Sequence, residues 1–544
     1  MEGAKRAQVV LDRVAASLDR PFDYLVPPEF GHIGPGWRVR VPLGRTTATG
    51  LVVGWADADG PRPVALRPIL GPLGEEPLLL PDLVAVVRYL REHWCCWWGQ
   101  AVRTSVPAPV RQQAVPPWEH LYASEASPRG AARQRLWAFV REHPGAREGD
   151  ARDAAGASAA VLTALLASGA LWRGPAPRLP PASTPHVLNP AQAAAVAVLR
   201  RHLDAGGPST VLLEGVTGSG KTEVYLAAVD TVLAQGRQAI VLVPEIALTP
   251  QMGARFRARF PGRVAVFHSA MADGERVREW HRARRGEADV VLGPRSAIFA
   301  PCPRLGLVVL DEEHESTYKQ EEHPRYHARD VAAARLAQTG GLLVLGSATP
   351  SLETAHEARE GHIGWVRLPE RVAGRPLAAV QVVDLRAELE AGNHEMFSRV
   401  LAAAVDEALG AGDQVLLLLN RRGFAKSVVC RTCGHTARCP DCSVSLTWHR
   451  DDQRLWCHYC DYRRDVPQHC PACGSARLRS FGVGTEQVLA AAAARCRPRG
   501  WPGRIATASP GGAAMSGCSN RLPTASWTCW WGPSCWPRGW IGPM

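Results

Sequence analysis

Val211-Leu-Leu-Glu-Gly215-Val-Thr-Gly-Ser-Gly-Lys221-Thr222 decides the fold. An apolar run ends in a turn of the form G-x-x-x-x-G-K-T, and a helical segment follows. This is the sequence of a phosphate-binding loop. Gly215, Gly218 and Gly220 let backbone N–H groups approach phosphates closely. Lys221 is placed to reach the β- and γ-phosphates, and the Thr222 hydroxyl to hold Mg²⁺. The expected ligand is ATP with Mg²⁺.

Outward from the loop, short apolar runs recur: Ala239–Val243, Val290–Leu292, Leu307–Leu310 and Leu342–Leu345. Runs of this kind suit parallel strands buried on both faces of a doubly wound sheet. The pattern restarts at Val415–Leu419, as a second α/β lobe would. Asp311-Glu312-Glu313-His314 directly follows one of these runs, and an acid at a strand's C-terminal end faces the nucleotide crevice. Asp311 is expected to bind Mg²⁺, and Glu312 to orient and activate the attacking water. Gly346-Ser347-Ala348-Thr349-Pro350 follows the next run. Its small hydroxyl residues suit a link between the phosphate site and lobe movement.

Eight of the fifteen cysteines fall in four C-x-x-C pairs: Cys430/Cys433, Cys439/Cys442, Cys457/Cys460 and Cys470/Cys473. Thiolates at this spacing fit tetrahedral zinc, and eight ligands make two closed sites for two Zn²⁺. Five residues separate the first two pairs, a tight loop for one site. Fourteen, Ser443–Trp456, separate the second and third, enough for the hairpin of a zinc ribbon. Nesting is therefore favoured: Cys439, Cys442, Cys457 and Cys460 hold one zinc, and Cys430, Cys433, Cys470 and Cys473 the other. The remaining cysteines are scattered, unlike a secreted disulfide framework.

The 544 residues suffice for several domains. A net charge of +12 favours an anionic partner, nucleic acid first. Nearly all the basic residues are Arg, so Lys221 stands out as one of four lysines. No run is long and apolar enough to span a membrane, and no signal core follows Met1. A soluble, cytoplasmic protein is expected. Before the first lobe, Trp37–Leu43 and Gly50–Gly54 alternate around a Gly44-Arg45 turn and imply a small β-rich domain. A linker is expected near Val106–Pro117. Residues from about 130 to 174 read as short helices ending in Gly169-Ala-Leu-Trp172, which suits a winged helix or generic helical packing alike. Arg173–Pro185 is a second Pro-rich linker.

In this order the three motifs resemble those of superfamily 2 helicases, with the GSAT segment as motif III. Asn189-Pro-Ala-Gln192 resembles their adenine-contacting segment. Pro244-Glu245, Thr249-Pro250-Gln251 and Gly293-Pro294-Arg295-Ser296 resemble strand-contacting motifs, and Asn420-Arg421-Arg422-Gly423 the opening of the second lobe. Together with the cysteine module, the chain from about residue 8 to about 490 resembles the PriA family of bacterial replication-restart helicases. Asp311–Gln320 and Pro324–Asp330 look like that family's extended motif II with its aromatic-rich loop. Phe22-Asp23-Tyr24 resembles the segment that helps recognise a 3′ DNA end there; local packing in a β domain is the alternative reading. Tyr318, Arg325 and Tyr326 suit DNA sensing, since aromatics stack on bases and Arg pairs with phosphate, and suit packing equally. The resemblance also implies the nested cysteine pairing.

It further implies tandem RecA-like lobes, the second incomplete, with an inserted double zinc module. The boundaries are 1–105 for a 3′-end DNA-binding domain, 118–180 for a winged helix, and 186–368 for the ATP-binding lobe. The second lobe runs over 369–428, resumes over 477–500 after the module at 429–476, and gives way to an aberrant tail at 501–544. The implied activity is ATP-dependent, 3′-to-5′ DNA unwinding at stalled or abandoned forks, leading to primosome assembly. Forked and single-stranded DNA, primosome proteins and single-stranded DNA-binding protein are the implied partners. A fork-binding scaffold with an impaired ATPase, and a motor acting on RNA, are the alternatives.

The tail departs from the family. Residues 501–544 contain no Asp, Glu or Lys, yet hold six of the eighteen Trp. Shifting the reading frame by one base turns Trp527–Pro543 into D-V-L-V-G-T-Q-L-L-A-K-G-L-D-W-P with permitted codons, which is similar to the family's motif V. A single-base frameshift between about residues 487 and 503 is the expectation. As written, the chain would then lack motifs V and VI, including an arginine finger, and have little activity.

Overall fold

Seven strands form the sheet that carries the phosphate loop: β9 (Ser209–Gly215), β10 (Gln238–Leu242), β11 (Val264–Val266), β12 (Val290–Gly293), β13 (Leu305–Asp311), β14 (Leu342–Ser347) and β15 (Gly364–Leu368). Their order is β11-β12-β10-β13-β14-β9-β15 and every pairing is parallel. This computed structural model describes residues 5–56, 66–112, 120–174, 187–244, 250–374, 378–393, 395–413, 415–418, 427–430, 432–449, 454–481, 491–492 and 529–532. The expected apolar runs are all strands; β11 and β15 are additional. Alternate residues of each run enter opposite cores, which is why the runs are apolar throughout. Val211, Leu213, Val241 and Val309 face one core with α7 (Pro190–Asp204) and α8 (Lys221–Ala234). Leu212, Ile240, Val308 and Leu310 face the other with α10 (Asp273–Arg284) and α11 (Ala328–Thr339).

The parallel order has a functional consequence. Strands β13, β14 and β9 are neighbours, with Asp311 opposite Gly346 and Ser347 opposite Glu214. The ends of all three motif strands therefore meet at one C-terminal edge of the sheet.

The N-terminal region forms an antiparallel sheet of β1 (Arg6–Leu11), β2 (Phe22–Leu25), β3 (Arg38–Leu43), β4 (Thr46–Trp55) and β5 (Gly71–Pro72), in the order β2-β1-β4-β3-β5. The expected turn at Gly44-Arg45 joins β3 to β4. Three helices follow: α1 (Pro81–His93), α2 (Trp98–Ser105) and α3 (Ala108–Gln112). The first residues of the linker expected near Val106–Pro117 are thus helical, and 113–117 lie outside the described residues. Val106 and Val110 are buried, so burial rather than the nearby prolines governs this stretch. Leu83, Val87 and Leu90 of α1 and Val102 of α2 join the core that Trp280 and Val331 of the motor lobe occupy. Across this contact Arg335 Nε donates to Asp82 Oδ2 at 2.8 Å, with both side chains buried.

Between the N-terminal region and the lobe lie β6 (His120–Ala123), α4 (Ala131–Glu142), β7 (Ala146–Arg147), α5 (Glu148–Ala155), α6 (Ala159–Ala167) and β8 (Leu171–Gly174). Three helices close on a β7-β6-β8 sheet around Leu121, Leu136, Val140, Leu165 and Leu171. This is the winged-helix arrangement. The Ala-rich α6 is shaped by that packing, since Gly169 in the left-handed region turns the chain back into β8.

Residues Met1–Pro376 and Leu377–Pro537 form separate units. The second holds α13 (Leu385–Glu390), α14 (Arg399–Ala411) and β16 (Val415–Leu418), then the cysteine module. The module contains β17 (Ser427–Cys430), β18 (Thr447–His449), β19 (Arg454–Trp456), β20 (Arg463–Asp465) and β21 (Leu478–Phe481). β17 pairs with β21, closing the insertion at its base, and β18-β19-β20 form a hairpin sheet. β16 lies parallel to β22 (Cys529–Gly532). The segments at Glu245, Thr249 and Asn420–Gly423, most of 477–500, and the rest of the tail with the expected frame change lie outside the described residues.

Candidate nucleotide site and zinc centres

The phosphate loop owes its shape to two glycines in the left-handed region, Gly218 at φ +82° and Gly220 at φ +81°. At Gly220 a Cβ would come within 2.3 Å of Gln192 Nε2. Helix α8 starts immediately afterwards, so its first N–H groups point toward the crevice. Lys221 is buried; its Nζ donates to Gly215 O at 3.1 Å and lies 3.8 Å from Glu312 Oε1. Thr222 is half-buried on the first turn. The Asn189–Gln192 segment is a capping box that opens α7: Asn189 Oδ1 accepts from Gln192 N at 2.8 Å, and Gln192 Oε1 accepts from Asn189 N at 3.0 Å. The Gln192 amide also donates to Ser219 O at 3.0 Å, fastening the box to the phosphate loop.

Asp311 ends β13. Burial, then the neighbouring Glu312 charge, pushes its carboxyl up to about 6, against the pull of the Tyr225 hydrogen bond and Lys221. Glu312 stands in the left-handed region at φ +49°, a conformation that costs a non-glycine residue about 1–3 kcal/mol. Its Oε2 is buried and accepts no hydrogen bond, and His314 Nδ1 lies 3.6 Å from it. Two half-buried carboxylates facing a single lysine form a site short of positive charge. That fits Mg²⁺, with Asp311 and Thr222 as the residues to hold it.

Motif III is joined to this acidic box directly. His314 Nδ1 lies 2.8 Å from Ser347 Oγ, which also accepts from Thr349 N at 3.0 Å. Glu313 is buried and does not face the phosphates. Its carboxylate accepts from Ser351 N at 2.7 Å and from the Thr354 hydroxyl at 3.1 Å. Any movement of the acidic box must therefore move the start of α12 (Leu352–Arg359).

Two residues that the sequence reading passed over belong to the site. Tyr225 donates from its hydroxyl to Asp311 Oδ1 at 2.9 Å. It lies four residues after Lys221, hence on the same helix face, and that spacing was the available signal. Arg371 Nε donates to Thr217 O at 3.0 Å, bringing a cation against the phosphate loop. Nothing local in the sequence marks it.

The residues expected to touch DNA divide. Tyr318 is fully buried, its Oη 2.6 Å from Asp311 O and 3.0 Å from Leu242 O; its one proton serves these carbonyls in turn. Tyr326 is 3 % exposed, packs edge-on against Phe299, and lies under Arg295. Tyr24 is 5 % exposed and donates to Pro42 O at 3.0 Å. In this structure these three rings pack inside the fold, and Tyr24 and Tyr318 satisfy their hydroxyls on main-chain carbonyls. Arg295 Nη1 donates to Thr317 O at 2.9 Å, tying its motif to the loop after the acidic box. Arg325 is exposed and Asp23 half-buried, so these two keep their access. In the same loop, Lys319 lies 3.7 Å over the ring of Trp94, at the end of α1.

The cysteines gather as the nested spacing predicts, in the sets Cys430, Cys433, Cys470, Cys473 and Cys439, Cys442, Cys457, Cys460. The Cys430–Cys473 and Cys433–Cys470 sulfurs are 3.6 Å apart, and Cys439–Cys460 3.5 Å. Four sulfurs about 2.3 Å from one zinc would stand about 3.8 Å apart. Each pair builds the same knuckle. The N–H groups of Gly434, Ser443, Asp461 and Gly474 return to the carbonyls of Cys430, Cys439, Cys457 and Cys470. All four residues are left-handed, at φ +73°, +55°, +60° and +71°. The geometry fits zinc at both sets.

Known proteins are similar to the chain along three stretches. The DEAD/DEAH box helicase family matches residues 189–358, the PriA 3′ DNA-binding domain residues 8–107, and the PriA DNA helicase Cys-rich region residues 439–464. Replication restart protein PriA of Bacillus subtilis is 34 % identical over 89 % of the chain and 70 % of its own length. Its counterpart in Synechocystis is 47 % identical over 56 % of the chain and 37 % of its own length, and that of Haemophilus influenzae 34 % over 88 % and 68 %. Among solved structures, RecG bound to a three-way DNA junction aligns over 44 % of the chain and 30 % of its own, at a TM-score of 0.33 and 22 % identity, too slight a likeness to carry an argument. A nucleotide lobe, an N-terminal 3′ DNA-binding domain and a cysteine-rich region, matched along one chain, place it in the replication restart protein PriA family.

Proposed function

We propose that the chain is an ATP-driven DNA helicase that binds stalled or abandoned forks, moves 3′ to 5′ and starts primosome assembly for replication restart. The observation that carries this reading is the meeting of three motifs at one sheet edge. Lys221, Asp311 and Glu312 stand around a single crevice, and motif III is hydrogen-bonded to the acidic box. Lys221 neutralises the developing charge on the phosphates. Glu312 orients the attacking water and accepts its proton. Asp311 and Thr222 would hold Mg²⁺, which would supply positive charge against the phosphates. Gln192, fixed by the capping box, is placed to read adenine, and Asp311 and Thr222 to hold the metal.

Two Zn²⁺ in the nested sets give the cysteine module its shape rather than chemistry. Asp23, Arg295 and Arg325 are the DNA contacts we retain, with primosome proteins and single-stranded DNA-binding protein as partners. Among the described residues no helix is long and apolar enough to cross a membrane; we place the protein in the cytoplasm.

The test is DNA-stimulated ATP hydrolysis, with forked DNA and with RNA duplexes, by this chain and by the chain with its reading frame restored. Lys221→Ala should abolish turnover and leave fork binding intact. Normal turnover in that variant would sink the site assignment. Fork binding without any turnover in the frame-restored chain would favour a scaffold instead.

A further inference from the structure

Three elements converge on the Asp311 side chain, and the one that touches it is outside the helicase motifs. Tyr225 is 1 % exposed, on the helix that Lys221 opens, and its hydroxyl donates to Asp311 Oδ1 at 2.9 Å. The hydroxyl fits only because the residue opposite Asp311 on β14 is Gly346. A Cβ at Gly346 would stand 1.7 Å from Tyr225 Oη and 2.7 Å from its Cζ. That is backbone-fixed contact on one side and a rigid ring on the other, so neither can yield cheaply. Tyr318 meanwhile holds the main-chain carbonyl of Asp311 at 2.6 Å. Asp311 is thus held through one carboxylate oxygen and through its main-chain carbonyl.

We propose that Tyr225 is a positioning residue for the Mg²⁺–nucleotide site, holding the Asp311 carboxylate in its metal-binding orientation, with Gly346 providing the clearance its hydroxyl needs. The inference rests on the nucleotide reading given above. A buried carboxylate with no fixed donor would sample several rotamers and meet the metal less often in the productive one. A hydroxyl donating to one oxygen orients the group and favours its charged form. The same contact joins the first turns of α8 to the end of β13, so the phosphate loop and the acidic box share one hydrogen bond. Gly346 opens motif III, and this gives that glycine a reason of its own. It is the seat of a tyrosine from motif I's helix.

The test separates metal from nucleotide. Binding of a fluorescent ATP analogue is measured with excess chelator, then as a function of added Mg²⁺, for the unsubstituted chain, Tyr225→Phe, Gly346→Ala and Lys221→Ala. Tyr225→Phe keeps the ring and its packing. It should bind the metal-free analogue within twofold of the unsubstituted chain, while the Mg²⁺ midpoint rises about tenfold, the cost of one hydrogen bond to a charged group. Gly346→Ala should shift the midpoint in the same direction by displacing the hydroxyl. Lys221→Ala should instead weaken binding with and without metal. A Mg²⁺ midpoint for Tyr225→Phe within twofold of the unsubstituted chain would overturn the proposal. Absence of Mg²⁺-dependent binding in the unsubstituted chain would overturn the nucleotide reading, and this inference with it.

Discussion

In the motor lobe, β10 is buried along all five residues and Asp311 follows six buried ones on β13. In the cysteine module, no strand among the described residues exceeds four, and the buried apolar set is Val428, Ala437, Leu446 and Leu455 beside Cys439 and Cys457. A few aliphatic side chains supply about 1.5–3 kcal/mol each at best. Ordering the backbone costs about 1–2 kcal/mol per residue. The lobe can meet that cost from its two cores, with polar loops carried on a rigid edge. The module cannot. Its two cysteine sets could add metal bonds, about 10–16 kcal/mol for each structural zinc they hold. Two regions of one chain therefore place functional atoms by opposite means, and each should fail in its own way.

The largest expected difference follows from removing zinc. Chelation, or Cys430→Ser, should unfold the module while the nucleotide lobe keeps its thermal transition; amide exchange resolved by peptide reads both at once. Equal loss of protection in the two regions would erase the contrast. Next comes Asp82→Ala. It leaves the Arg335 guanidinium buried without its carboxylate, and should cost the lobe about 3–5 kcal/mol in chemical unfolding with zinc content unchanged. A cost below about 1 kcal/mol would mean that Ile298 O and Ala300 O already satisfy the arginine. The smallest effect sharpens the comparison within the module. The outer set turns on Gly434 and Gly474, the inner on Ser443 and Asp461. Asp461→Gly should relieve about 1 kcal/mol of backbone strain and slow zinc loss from the inner set to a competing chelator.

Much of this was legible in the chain. The phosphate loop, the acidic box and the nested cysteines are local patterns whose chemistry depends on spacing, and each folds as its spacing implies. The apolar runs of the lobe announced buried strands because both sheet faces are covered. Strand order was not legible, since no short-range pattern says that β9 enters between β14 and β15. The tyrosines stayed ambiguous for a related reason. Tyr318 and Tyr326 stand in a loop rich in polar residues, where stacking on a base and packing inward look alike in sequence. Only the carbonyls of Leu242 and Asp311, far apart in the chain, decide that Tyr318 turns inward. Helix α1 was missed although Leu83, Val86, Val87 and Leu90 repeat at helical spacing.

The contact of α1 and α2 with the motor lobe bears on how this chain can be divided. Leu83, Val87, Leu90 and Val102 fill the same core as Val277, Trp280 and Val331. The first hundred residues are therefore not a bead on a string that recombination or a protease could detach at no cost. Cutting after Gln112 would leave greasy faces on both products, each prone to stick to itself. The smallest inheritable piece of this motor that keeps its surfaces wet begins at the first strand, well upstream of the loop that binds phosphate.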